Sequence, residues 1–218
     1  MKTGLHKLAA AVIFLAIPAE NTLSIPYTLW KIQKKIERTE YLSAEEDLED
    51  LIPGLKGEKL LWGKLLSARL ETDSRRAEDI YRDIISSETE ISYIARLELA
   101  KIHYASDDYR ETIRLLEVVP SREDSKVRLE SLFFRGLSHK MLGEVYLARE
   151  DFKLIDRGNY LYPAYMELAE LDMQTGDYSS AVKRYEAIGG IHSNPVAIFK
   201  LGVCYEIIGE NSKAFRAY

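Results

Sequence analysis

YMELAELDMQTGDYSSAVKRY, residues 165–185, decides the fold. Ala181 is followed four residues later by Tyr185 and three beyond that by Ile188, offsets that return to one face of an α-helix. Upstream of Ala181, Gly176 stands five residues back and Ala169 twelve. Small Ala169 and Ala181 mark where two helices come close. Gly176, free to take a positive φ, marks the turn between them.

The same pattern recurs outward along the chain. Ala44, Ala77, Thr112, Ala148, Ala181 and Ala214 are separated by 33, 35, 36, 33 and 33 residues. Four residues after each stands Leu48, Tyr81, Leu116, Phe152, Tyr185 or Tyr218, and three further on Leu51, Ile84, Val119, Ile155 or Ile188. Twelve residues before each anchor lie Ile32, Leu65, Ala100, Gly136, Ala169 and Gly202, and five before it Thr39, Thr72, Asp107, Gly143, Gly176 and Gly209. A repeat of about 34 residues is one helix-turn-helix unit, too small to bury its own apolar face, so copies must stack. The spacing predicts an all-α solenoid of about six such repeats over 22–218, near 25–57, 58–92, 93–128, 129–161, 162–194 and 195–218.

These residues resemble the tetratricopeptide repeat family, and its exported bacterial type, a resemblance that implies a right-handed α-solenoid. The match is best at Tyr165, Leu168, Ala169, Gly176, Asp177, Tyr178, Ala181 and Tyr185, and at Leu201, Gly202, Tyr205, Gly209, Ala214 and Tyr218. The first two repeats are degenerate. The family's first-helix Tyr is kept only as Tyr205; the earlier copies carry Lys35, Ala68, His103, His139 and Asp172. The family's Pro is displaced to Pro53, Pro120 and Pro195, near the repeat junctions.

Charge and composition exclude several function classes. The chain has 218 residues, 30 basic and 35 acidic, for a net charge of −5. An acidic protein without a basic stripe does not suit nucleic acid, which demands clustered Lys and Arg. The groups Lys31, Lys34, Lys35 and Arg69, Arg75, Arg76 are interrupted or followed by acids and read as solvated faces. Residues 1–19 form a separate segment: Lys2 and Lys7, an apolar run Leu8–Ile17, then Pro18-Ala19. That is the pattern of a secretory signal peptide cleaved after Ala19, and the run is too short to span a bilayer. Cleavage would remove two lysines and shift the net charge from −5 to −7. A cytoplasmic apolar first helix and an uncleaved anchor are the alternatives. The mature chain is then periplasmic or secreted, with no transmembrane segment.

Little in the sequence assembles chemistry. Cys204 is the single cysteine and reads as a buried small hydrophobe. His103 and His139 share a repeat position, so stacking could bring them near each other, but a packed, hydrogen-bonded role is the simpler reading. No metal or phosphate-binding motif occurs. The acidic run Glu45, Glu46, Asp47, Glu49 and Asp50 alternates with Leu48 and Leu51 and reads as an exposed face. No catalytic, cofactor or metal site is expected.

The resemblance implies a concave partner groove lined by first-helix residues. In this chain those are Trp62, Leu66, Arg69, Leu97, Lys101, Tyr104, Phe133, Leu137, Lys140, Met166, Glu170, Met173, Phe199 and Val203. Leu29, Gln33, Ile36 and Glu206 extend the set. Such an aromatic and Met-rich lining suits an amphipathic helix or an extended apolar peptide. Arg69, Lys101 and Lys140 precede Glu170 and Glu206, a charge gradient able to orient a partner. Tyr218 ends the sequence four residues after Ala214, which predicts an apolar last face covered by a second copy or by a longer chain.

The expected function is a noncatalytic protein–protein interaction scaffold of the cell envelope, with envelope proteins as partners and no cofactor. The alternatives are an accessory subunit of a cell-wall-processing or envelope-assembly complex, and a cytoplasmic adaptor.

Overall fold

The computed structural model describes residues 25–118, 120, 126–188 and 194–218. The leader, His6, Val119, Gly189, Gly190 and His192 lie outside the described residues. Among the described residues the regular structure is helical: α1 Tyr27–Glu37, α2 Tyr41–Leu51, α3 Glu58–Leu70, α4 Ser74–Ile85, α5 Glu90–Ala105, α6 Tyr109–Leu116, α7 Lys126–Met141, α8 Val145–Lys153, α9 Leu161–Gln174, α10 Tyr178–Ala187, α11 Pro195–Ile207 and α12 Asn211–Ala217. A single 3₁₀ turn, Ile52–Gly54, follows α2. Consecutive helices pair into hairpins.

The chain divides into two compact units, residues 1–127 and 128–218. In the first, α1 to α6 form three hairpins, with α2 packed on α3 and α4 on α5. In the second, α7 to α12 form three more, with α8 packed on α9 and α10 on α11. No described helix is long and apolar enough to cross a membrane.

Each hairpin is closed by the residues that define the period. Ala44, Thr112, Ala148 and Ala181 are fully buried, and Ala77 and Ala214 nearly so. Leu48, Tyr81, Leu116, Phe152 and Tyr185 are at most 3% exposed, whereas Tyr218, at the same register, is 62% exposed. Buried Ile84, Ile155 and Ile188 complete the stripe.

One turn chemistry serves five of the six hairpins. Thr39, Asp107, Gly143, Gly176 and Gly209 all have positive φ, between 60° and 83°. Each donates its backbone N–H to the carbonyl three residues back, and the residue after it donates to the carbonyl five back, as in Gly143 to Lys140 and Glu144 to His139. This double bond pattern satisfies the last carbonyls of the first helix. Thr72 is the exception, since α3 ends at Leu70 and its C-cap Glu71 has extended backbone. The residue after the turn is acidic in all six copies: Glu40, Asp73, Asp108, Glu144, Asp177 and Glu210. It is the N-cap of each second helix, where a carboxylate meets the positive end of the helix dipole. Asp73, Asp108 and Asp177 also accept N–H bonds through their side chains, while the longer Glu residues do not.

Candidate partner-binding faces

In the first unit, most of the expected groove residues are interior. Leu66 and Leu97 are fully buried, Lys101 is 3% exposed and Trp62 6%. Leu29, Ile36 and Gln33 are buried as well. These side chains offer a partner no surface, so their large apolar bodies serve packing here. Arg69 and Glu98 form an ion pair of 2.7 Å between α3 and α5, with Lys101 Nζ 3.9 Å from the same carboxylate. Burial pushes the Glu98 carboxyl up, but the neighbouring Arg69 and Lys101 charges outweigh it and lower its pKa. Tyr104 is half-buried and meets Tyr109 edge-on, at 5.5 Å between ring centres.

The second unit keeps its first-helix residues at or near the surface. Phe199 on α11 is 60% exposed and tilts against Tyr218, ring centres 5.9 Å apart. Met166 and Met173 on α9 are partly buried against the core of the last two hairpins. Phe133 and Leu137 on α7 are partly buried against the core beneath α7, α8 and α9. The Phe133 ring lies 5.0 Å from Tyr160 and 5.9 Å from Phe152, centre to centre, so it is half core and half surface. Val203 is half-buried on α11.

The charges along this face are neutralised pairwise. Lys140 on α7 donates to Glu167 and Glu170 on α9, and Lys200 on α11 donates to the other oxygen of Glu170. Burial pushes the Glu170 carboxyl up, yet the hydrogen bonds from Lys140 and Lys200 prevail and lower its pKa. Glu206 accepts from the Tyr218 hydroxyl at 3.1 Å. The expected charge gradient is therefore corrected: Arg69, Lys101, Lys140 and Glu170 spend their charge within their own unit. The reason is geometric. Side chains about 30 residues apart meet on successive first helices, a relation invisible when each repeat is read alone.

The departures from the family's first-helix Tyr follow a related rule. Lys35 pairs with Asp47 at 2.6 Å, and Asp172 with Arg184 at 2.5 Å, in each case twelve residues along. Asp172 is 2% exposed and is clasped from the other side by Arg149 of α8. His139 bonds Glu144 through Nδ1 at 2.6 Å, and its Nε2 stands 3.9 Å from Asp151, which Arg135 holds through Nε and one terminal guanidinium nitrogen. His103 lies between Asp108 at 3.4 Å and Glu78 at 3.7 Å. Lys35, His139 and Asp172 are thus each held by hydrogen bonds to a neighbouring side chain, whereas the buried Nε2 of His103 has no hydrogen-bond partner among the described residues. Among the described residues no three His, Cys, Asp or Glu gather as metal ligands. Cys204 is fully buried, and burial pushes its thiol up, away from the reactive thiolate.

No protein-family model matches the chain, and no curated protein matches it. Solved structures do. PilF of Pseudomonas aeruginosa superposes with a TM-score of 0.71 at 16% identity, covering 87% of this chain and 86% of that one. PilW, described as a widely conserved type IV pilus biogenesis factor, gives 0.66 at 14% identity, covering 87% and 88%. A Podospora anserina kinesin light chain with nearly identical TPR-like repeats gives 0.54 at 18% identity, covering 72% and 90%. The hairpins have the tetratricopeptide-repeat fold, and likeness at these identities is likeness of fold.

Proposed function

We propose that this chain is a noncatalytic protein-interaction scaffold that holds an apolar segment of a partner protein on the first-helix face of its second unit. The observation that carries the reading is Phe199, a large aromatic side chain 60% exposed at a register where an interaction surface is needed. Met166, Met173 and Val203, on first helices of the same unit, are only partly covered. Aromatic and Met side chains supply large contact area at small ordering cost. The Lys140 and Lys200 ammonium groups are matched by Glu167 and Glu170, a neutral polar edge, so apolar contact supplies the affinity.

The partner belongs to the cell envelope, and the chain reaches it by export under residues 1–19. Support for the compartment comes from the leader pattern alone. PilW, named for type IV pilus biogenesis, offers assembly of an envelope machine as a process this fold can serve. Self-association through α12, where Phe215 is 84% exposed, is a further element of the proposal.

The test has two arms. Affinity purification of the chain and of Phe199→Glu, matched for helicity, should recover the same envelope protein with the first and lose it with the second. N-terminal sequencing of the product should begin at Glu20. A partner retained by Phe199→Glu would remove the face assignment, and an intact Met1 would remove the export assignment.

A further inference from the structure

The first helix carries a surface that packing within its hairpin does not explain. Leu29, Ile32 and Ile36 are at most 3% exposed and fix the inward side of α1. At about 100° per residue, the opposite arc holds Tyr27, Trp30, Lys31, Lys34 and Arg38. Tyr27 is 68% exposed and stacks on Trp30, ring centres 5.9 Å apart at 14°. The Lys31 ammonium lies 4.7 Å over the Tyr27 ring and that of Lys34 5.8 Å from the Trp30 ring. Lys34 is also tied to Glu37 at 2.6 Å. Lys31 and Arg38 are exposed and form no ion pair among the described residues.

We propose that this arc docks on an anionic phospholipid surface. A surface helix needs only a polar outer face to stay soluble, and Lys and Arg alone would supply one. Tyr and Trp set among cations have another use. Their rings sit at the level of lipid headgroups, while Lys and Arg stems reach along the same depth to anionic groups. Charge complementarity selects the lipid class, since each Lys or Arg near such a surface contributes on the order of 1 kcal/mol. The carboxylates Glu45, Glu46, Glu49 and Asp50 lie on α2, so docking requires one orientation, with α1 toward the lipid. At about 0.1 M salt, charges beyond roughly 10 Å are screened, and the net charge, −5 for the full sequence and −7 after cleavage, does not oppose that orientation.

The experiment is sedimentation of the purified chain with vesicles of phosphatidylcholine alone and of phosphatidylcholine with phosphatidylglycerol, at about 0.1 M salt. The chain should sediment with the anionic vesicles, and its tryptophan emission should shift to the blue. Trp30→Phe should lose that shift, because the remaining Trp62 is buried. Lys31→Gln with Arg38→Gln, both at exposed sites, should lower partitioning about thirtyfold without change in helicity. Equal binding to neutral vesicles would report the apolar run Leu8–Ile17 instead and would overturn the proposal. So would binding indifferent to the double substitution, or binding to polyglutamate with none to vesicles, which would make the partner an acidic protein.

Discussion

Gly136 lies against the ring of Phe152 so closely that a Cβ on it would stand 2.7 Å from Cε1. Gly202 has the same relation to Tyr218, at 2.6 Å. The two pairs sit at one register of the repeat but differ in freedom, because Phe152 is fully buried and Tyr218 is 62% exposed. Gly136→Ala should overpack the hairpin by ~1–3 kcal/mol, against which helix propensity returns about 1. At Gly202 the ring can swing aside and the propensity gain remains. Thermal melts should show Gly136→Ala lowered and Gly202→Ala unchanged or raised.

Thr39 occupies the left-handed turn at φ 64°, where three other copies have Gly. A β-branched residue there costs ~1–2 kcal/mol, part of which Gly would return as unfolded-state entropy. Thr39→Gly should stabilise the chain by roughly 0.5–1 kcal/mol in urea unfolding.

Asp172 and Asp47 make comparable ion pairs in different surroundings. Removing the buried Asp172 leaves Arg149 and Arg184 facing a site without its carboxylate, and Asp172→Ala should cost ~3–5 kcal/mol. The Lys35–Asp47 pair is largely in water, and Asp47→Ala should cost ~0–1 kcal/mol. Similar losses from both would contradict the burial argument.

Acid should loosen the first unit through Glu111. Its hydrogen bond from Arg114, joined by one from Arg82, holds its pKa down at about 2, against an ordinary 4.5. A carboxyl lowered on folding stabilises fully above the unfolded pKa, and that stability is lost as pH falls from about 5 to about 2. Over that window the stability difference between the chain and Glu111→Gln should shrink toward zero in pH-dependent urea unfolding.

Phe133 and Phe199 hold the same repeat position, yet their substitutions should separate. Phe133→Glu drives a charge against Phe152 and Tyr160 and should lower the melting temperature. Phe199→Glu should leave melting nearly unchanged and remove partner binding. Circular dichroism with the binding assay distinguishes them.

The hairpins were legible in the sequence because packing at Ala148 or Gly176 depends on neighbours within one repeat. Small residues at the helix contact, large ones four later and Gly at the turn are local requirements. The acidic N-caps from Glu40 to Glu210 form a column of the aligned repeats and are equally local. Two features depended on relations between repeats. Leu66 and Leu97 look like groove residues by register and are buried. Lys140 and Glu170 look like opposite sides of a charge gradient and are partners. Neither burial nor pairing across about 30 residues can be read from one repeat's periodicity.

The most direct test of the scaffold reading is a photo-crosslinking residue placed at Phe199 in the host, with Lys183 on α10 as the exposed control. The account predicts that one protein is captured at Phe199 and not at Lys183, and that the same two purified proteins bind each other through that face. Equal capture at both positions, or none at Phe199 in a folded chain, would contradict it.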